Sequence, residues 1–327
     1  MLDDMKNKIL HGDALELFKN IPDDSIDLIL TDPPYFLDKL DSNWDVEEVN
    51  SKKNMRVITS LPAGMKFSRQ QGVELYNWYL EVAKEAHRVL KPGGFFFTFS
   101  SPRLYHRIAS AVDDAGFEIR DAFMWLYTQS QAKAMSLNHV IKRTKLSEEE
   151  KEDLTNRLEG WKTPQLKSNY EPIVFGRKEV EGSNLKNVLE YDVGLINTNE
   201  TTGDNMFPSN VMSTDLINED IDRCFLISKP TKKEKGEYNT HKTVKPVDLC
   251  KHLMKLTMLS KDAIVLDPFM GSGTTAVAAK MLGLYYLGFE INQEYIDITD
   301  KRLNEAEQVI KKEKTELTLF DVIDKLN

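Results

Sequence analysis

The chain has 327 residues, enough for one large α/β domain with an inserted part or for two small domains. Hydrophobic residues at 41% and charged residues at 29% match ordinary globular proteins, which argues against both disorder and membrane insertion. A formal net charge of −9 argues against a protein that coats nucleic acid by bulk attraction, while leaving room for a local basic groove.

No run approaches the roughly 20 apolar residues of a membrane span. The start Met1-Leu2-Asp3-Asp4 lacks the basic-then-apolar order of a signal peptide, so the expected setting is the cytoplasm, without a membrane partner. Cys224 and Cys250 are too isolated for a disulfide framework, and the histidines lack metal-ligand spacing, so no metal is expected.

In chain order, Lys8 to Asp13 reads as a short strand and Ala14 to Asn20 as a helical turn or two. After the turn at Pro22-Asp23-Asp24-Ser25, the apolar run Ile26 to Leu30 reads as a buried parallel strand that stops at Asp32-Pro33-Pro34-Tyr35. Leu37 to about Gly72 is polar and irregular, a long loop of the functional kind. Helical spacing from Leu75 to Leu90 ends at Lys91-Pro92-Gly93-Gly94, which opens the strand Phe95 to Phe99. A helix over Leu104 to Ala115 follows, and Phe117 to Tyr127 reads as a strand pair. This βαβαβ alternation implies a mainly parallel sheet. From Thr128 to Tyr238 the pattern dissolves into charged, turn-rich sequence and reads as an insert. It resumes with a helix from Pro246 to Leu259, the strand Ala263 to Leu266, a helix from Thr275 to Leu282 and the strand Tyr285 to Phe289.

Asp267-Pro268-Phe269-Met270-Gly271-Ser272-Gly273-Thr274-Thr275 follows a buried strand and opens a helix, where parallel-sheet proteins hold nucleotides. Its glycines let the backbone approach a ligand closely. Glu290 ends the next strand, placed to accept hydrogen bonds from both hydroxyls of a ribose. The pair implies an adenosine-containing ligand. Gly271 to Ala276 also satisfies G-x-G-x-x-A, so a dinucleotide oxidoreductase competes on this motif alone, as does a glycine turn that only packs helix on strand. A P-loop is excluded because its lysine is missing, and that absence suits a cofactor without phosphates.

Asp32-Pro33-Pro34-Tyr35 lies at the carboxyl end of a buried strand, the edge where ligands bind. Two prolines fix φ and remove two donors, leaving a rigid turn rich in acceptors. An aromatic amine is a poor nucleophile because its lone pair is delocalised into the ring. If Asp32 and the Pro33 carbonyl accept the two amine hydrogens, the lone pair can be aimed at an incoming methyl group. Tyr35 can stack on the base. A double-proline strand end with an incidental acid is the alternative.

Thr31-Asp32-Pro33-Pro34-Tyr35, followed far downstream by Asp267 to Thr275, resembles the amino-methylating DNA methyltransferases, in the β-class order with the catalytic motif first. His11-Gly12-Asp13-Ala14, Lys91-Pro92-Gly93-Gly94 and His241-Lys242-Thr243-Val244-Lys245-Pro246 are similar to further family segments, with Lys242 standing where proline is commoner. The resemblance covers residues 8–127 and 241–300. It implies a Rossmann-like, doubly wound, mostly parallel sheet of about seven strands with an added antiparallel strand. It implies S-adenosylmethionine as methyl donor, double-stranded DNA as partner and a base flipped from the duplex. The implied cofactor residues are Asp13, Asp32, His241, Thr243, Lys245, Asp267, Phe269, Gly271, Gly273, Thr274 and Glu290, and the implied catalytic ones Asp32, Pro33, Pro34 and Tyr35.

Within the family, aspartate opening the catalytic motif goes more often with adenine and serine with cytosine, so the expected product is N6-methyladenine, with N4-methylcytosine the alternative. A regulator that binds cofactor and DNA without catalysis is the reading from another class. The expected organisation is a catalytic half over 1–127, an inserted target-recognition region over 128–240, a cofactor half over 241–310 and a tail helix over 311–327. Asn169 to Ile173 and Gly176-Arg177-Lys178 resemble a family strand near the sheet edge. In the insert, Lys142, Arg143, Arg177 and Lys178 are the candidate DNA contacts. In the tail, Leu317, Phe320, Ile323 and Leu326 share a helical face suited to docking on the parent domain. A cognate restriction endonuclease is a further expected partner, and the chain is expected as a monomer or homodimer.

Overall fold

The computed structural model describes residues 2–35, 69–127, 134–164, 166, 168–200, 207–213, 225–227, 229–241 and 244–324, with the backbone alone at 213, 225, 226, 232, 233 and 313–324. The expected loop over Leu37 to Gly72 falls almost wholly outside them, as do Cys224, Lys242, Thr243 and the side chains of Leu317, Phe320, Ile323 and Leu326.

The strands are β1 (Lys8–His11), β2 (Ile26–Thr31), β3 (Leu90–Phe99), β4 (Glu118–Leu126), β5 (Tyr170–Arg177), β6 (Val211–Ser213), β7 (Phe225–Leu226), β8 (Ile264–Asp267) and β9 (Tyr285–Glu290). The helices are α1 (Ala14–Phe18), α2 (Arg69–Val89), α3 (Tyr105–Asp114), α4 (Asn138–Ile141), α5 (Glu148–Arg157), α6 (Asn184–Tyr191), α7 (Lys232–Lys235), α8 (Val247–Thr257), α9 (Thr274–Leu282) and α10 (Gln293–Asp324). The tail is thus the continuation of α10, not a separate helix.

All described strands join one sheet in the order β1-β9-β8-β2-β3-β5-β4-β6-β7. Seven longer strands carry the expected architecture, and the short β6 and β7 extend it at one side. Every neighbouring pair is parallel except those of β5, which runs antiparallel to both β3 and β4.

Side chains alternate across the sheet, so two cores form. Leu28 and Leu30 of β2 join Phe95, Phe97 and Phe99 of β3 on the face covered by α8 and α9. Ile29 and Phe96 face the other way, against α1, α2 and α3. Both faces are covered, which is why β2 is apolar from Ile26 to Leu30 except at Asp27, which is buried and paired with Lys91.

Two expectations are corrected. Phe117 to Tyr127 is no strand pair: it contains neither glycine nor proline, and β4 runs through it as one strand along β5, with a register shift between Ile119 and Asp121. The stretch 128–240 is not a single insert, because β5 lies inside the sheet with Ile173 and Val174 fully buried. Pairing on both sides satisfies its backbone groups and places its apolar side chains in both cores.

Candidate active site

From β2 the chain proceeds to β3 on one side, and from β8 to β9 on the other, so the winding direction reverses between β2 and β8. Ligands of open parallel sheets bind outside the carboxyl ends at such a reversal. Asp32 follows β2 there, and Asp267 ends β8.

The segment after β8 is braced from below. Asp267 is 4% exposed and accepts hydrogen bonds from the Thr31 and Thr275 hydroxyls, each at 2.7 Å, and from the Phe269 amide at 3.0 Å. Burial pushes its carboxyl up to about 6, against those hydrogen bonds. Its carboxylate therefore shapes the loop. The buried Arg302 donates to the Ser272 carbonyl at 2.6 Å and the Thr274 hydroxyl at 3.1 Å, and the Thr299 hydroxyl lies 3.2 Å from the Gly271 carbonyl. Gly271 and Gly273 have φ of +53° and +81°. A Cβ on Gly271 would stand 3.1 Å from His241 Nε2, and one on Gly273 would meet Thr299 Cγ2 at 2.3 Å. This is a cradle only glycine can line.

Glu290 closes the cradle. Its Oε2 accepts from the Gly271 amide at 2.7 Å and its Oε1 from the Asn292 amide at 2.8 Å. Burial raises its carboxyl, opposed by these amides. A carboxylate offers about four acceptor sites, so lone pairs remain for two ribose hydroxyls. Phe269 packs on Trp78 at 5.4 Å between ring centroids, an aromatic wall beside the loop. The His241 ring stands 4.7 Å from Tyr295, near Gly271, and burial lowers its imidazole. Asp13 caps α1 by accepting from the Leu15 and Glu16 amides, just after β1, whose His11 is in register with Glu290. Thr274 opens α9, and Thr243 lies outside the described residues.

The loop meets a test for its ligand. Arg302 is 3% exposed and committed to the underside of the loop, so this cation is not presented to a ligand above it. The opposite wall is acidic. These residues fit a phosphate-free, positively charged adenosine derivative such as S-adenosylmethionine, and they do not suit the dinucleotide reading.

That acidic wall is a cluster of four side chains. Lys245, just before α8, sets its ammonium 2.5 Å from Asp32 Oδ2 and 2.9 Å from Glu171 Oε1, and 4.9 Å above the Phe99 ring. The Tyr35 hydroxyl donates to Asp32 Oδ1 at 2.7 Å and stands 3.4 Å from Glu171 Oε1. Lys245 is 10% exposed, Glu171 17% and Asp32 23%, so the cluster opens outward at Asp32. Burial opposes the charge on Lys245, but the two carboxylates outweigh it and raise the ammonium above its ordinary value. Burial, then the charges of Asp32 and Glu171, hold the Tyr35 hydroxyl well above its own. Pro33 is buried and Pro34 half-buried beside them.

The structure thus gathers Asp32, Pro33, Pro34, Tyr35, Lys245, Asp267, Phe269, Gly271, Gly273, Thr274, His241 and Glu290 along one edge. Lys245, expected among the cofactor residues, has its ammonium on Asp32 and Glu171. Arg177 and Lys178 are corrected: they lie at the opposite edge, where Arg177 is in register with Phe95 at the start of β3. Arg177 pairs with Glu118 at 2.7 Å, and Lys178 with Asp24 at 2.6 Å and the Leu90 carbonyl at 2.8 Å. They tie strands together and are removed from the DNA candidates. Lys142 and Arg143 are exposed at the end of α4. Glu171 and Arg302 were missed; only the likeness of Asn169 to Ile173 to a family strand pointed toward the former.

A model of the N6/N4 type, described as DNA methylase, matches residues 26–301. The type II methyltransferase M.HindIII of Haemophilus influenzae is 29% identical over 313 residues, spanning 90% of this chain and 94% of that protein. M.BglII of Bacillus subtilis, also a type II methyltransferase, is 27% identical over 296 residues, 89% of this chain and 67% of its own length. Two solved structures share the fold. M1.HpyAVI in complex with SAM has a TM-score of 0.51 at 21% identity, covering 91% of this chain and 98% of its own. The cytosine-N4-specific PvuII DNA methyltransferase has 0.56 at 16%, covering 93% and 91%. With an acceptor-rich turn and a glycine cradle at one reversal point, and the match running across both, the chain belongs to the S-adenosylmethionine-dependent N6/N4 DNA methylase family.

Proposed function

We propose that the protein methylates the N6 amine of an adenine flipped out of double-stranded DNA. The observation that carries this reading is the Asp32 carboxylate, fixed by Lys245 and Tyr35 at the open end of the cluster and adjacent to the Pro33 carbonyl. Asp32 and that carbonyl accept the two amine hydrogens, which frees the nitrogen lone pair from the ring and aims it. The bound cofactor supplies an electrophilic methyl group on a sulfonium sulfur. The nitrogen pair forms the new N–C bond while the S–C pair stays on sulfur, and the amine then loses one proton toward Asp32 and solvent. Tyr35, its hydroxyl anchored, offers its ring face to the base. Adenine over cytosine rests on aspartate, and not serine, at the head of the motif.

Target reading is assigned to the part of 128–240 outside β5. β4 ends at Leu126 and β5 begins at Tyr170, both at the catalytic edge, so the segment with α4 and α5 departs from the site. Lys142 and Arg143 there are the proposed phosphate contacts. Likeness to type II methyltransferases favours a cognate restriction endonuclease as partner.

Nucleoside mass spectrometry of methylation-free bacterial DNA, incubated with enzyme and S-adenosylmethionine, tests the reading. N6-methyladenine is expected. N4-methylcytosine would overturn the base but keep the mechanism, and no methylated base at all, with both ligands bound, would favour a non-catalytic regulator.

A further inference from the structure

With both carboxylates ionised, the cluster holds one negative charge more than its own lysine balances; burial raises the Glu171 carboxyl, and the Lys245 ammonium opposes that rise. Lys245 is shared between Asp32 at 2.5 Å and Glu171 at 2.9 Å. A buried lysine paired with Asp32 alone would make a neutral pair, and much of the aspartate's field would be spent on the ammonium instead of the amine. Two carboxylates this close without a cation would share a proton. Three groups together avoid both outcomes, leaving the wall net negative where positive charge arrives with the methyl group and develops on the amine.

We infer that Glu171 is a positioning residue for methyl transfer, holding Lys245 off a purely neutral pairing with Asp32 so that the site keeps one uncompensated negative charge. It acts through Lys245 and Tyr35 without touching the reacting nitrogen. The inference rests on the methyl-transfer reading but not on the identity of the base.

The geometry explains why a glutamate at this point can do it. As the second residue of antiparallel β5, in register with Trp125, it enters at the catalytic edge from a strand locked on both sides. Its carboxylate pairs with Lys245 at 2.9 Å and stands 3.4 Å from the Tyr35 hydroxyl, the two groups that also hold Asp32. Among the described residues, the charged and titratable groups around the pair are Lys245, Tyr35, Tyr127 and Lys229 toward Glu171, and His241, Asp267, Tyr79 and Cys250 toward Asp32.

The test is total methyl incorporation from labelled S-adenosylmethionine into methylation-free bacterial DNA, with kcat followed from pH 6 to 9, and cofactor affinity by calorimetry. Glu171→Gln keeps the shape but removes the charge. It should lower kcat at least tenfold, with cofactor Kd within about twofold. Lys245→Met strands two carboxylates together. It should lower kcat further and move the acid limb of the profile to higher pH. The double variant Glu171→Gln with Lys245→Met leaves Asp32 as the single charge. It should run at least tenfold faster than Lys245→Met at pH 7 and return the acid limb toward the parent position. A purely structural pair would give a double variant no better than either single. That result, or full kcat in Glu171→Gln, overturns the inference. Because incorporation is summed over all bases, a cytosine product would fail the adenine assignment and leave this comparison intact.

Discussion

Replacing Gly273 by alanine tests the cradle directly. Gly273 caps the start of α9 with φ of +81°, a conformation that costs an L-residue about 1–2 kcal/mol. Its new Cβ would meet Thr299 Cγ2 at 2.3 Å, Oγ1 at 2.7 Å and Cβ at 2.9 Å. Thr299 cannot swing aside: it is β-branched, on α10, fully buried, and donates to the Tyr295 carbonyl at 2.9 Å. Overpacking of this kind adds about 1–3 kcal/mol, so Gly273→Ala should destabilise by roughly 2–5 kcal/mol. The strain is relieved only by moving the loop, which takes the Gly271 amide away from Glu290, so cofactor affinity should fall at least tenfold. Urea denaturation without ligand and calorimetric titration with S-adenosylmethionine read the two effects. Adding Thr299→Ala removes the closest two atoms and should give a coupling energy of about 1–2 kcal/mol. A single variant within about 0.5 kcal/mol of the parent, or strict additivity in the cycle, would refute the clash argument.

Asp32→Ala should reduce turnover by on the order of a hundredfold or more while the melting temperature and cofactor binding persist; full activity would remove the proposed mechanism. Glu290→Ala should weaken cofactor binding by roughly 1.5–3 kcal/mol in calorimetry, since a charged acceptor shared by two hydroxyls is lost. Cys250→Ser should leave the methylation rate nearly unchanged, because that thiol is buried and pushed up to about 12 and the chemistry needs no covalent attack on the base. Asp267 holds its proton to about 6 when folded, against 3.8 when free, so its contribution is full below pH 3.8 and lost as pH rises through 6. Asp267→Asn keeps the acceptor for Thr31 and the Phe269 amide, so in urea titrations it should gain stability relative to the parent between pH 4 and 7. The gain should be about 3 kcal/mol at most, and a constant difference across that range would contradict it.

Glu290 and Asp32 were legible in the sequence because each sits at the end of a strand that can be read locally. An apolar run predicts the strand, a strand in a parallel sheet predicts the edge, and the residue that stops it faces the ligand. The glycines of the cradle were legible for a similar reason, since positive φ is a local demand. Arg302 was not, because nothing in α10 tells which loop its guanidinium supports; that partner is fixed only when α10 folds back over α9. Lys245 was half legible. Its place in the motif put it near the site, yet its partner lies 213 residues away, and the choice between cofactor and Asp32 belongs to tertiary packing.

One topological feature accounts for both the largest omission and the clearest error. In a parallel strand the carboxyl end carries chemistry and the amino end carries structure, whereas Arg177 and Lys178 read as DNA contacts only as basic residues of the insert. β5 reverses that rule by running antiparallel between β3 and β4. Its first residues, Tyr170 and Glu171, take the position that Thr31 and Asp32 take for β2, while Arg177 and Lys178 arrive where β3 begins and find Glu118 and Asp24. The alternation of apolar residues is identical for either direction, so periodicity could show that 170–177 is a strand but not which end meets the ligand. The direction is set by the chain around it: β4 ends at the catalytic edge, the segment with α4 and α5 leaves and returns there, and the returning strand enters the sheet from that edge. A glutamate carried in at that point shares Lys245 with Asp32.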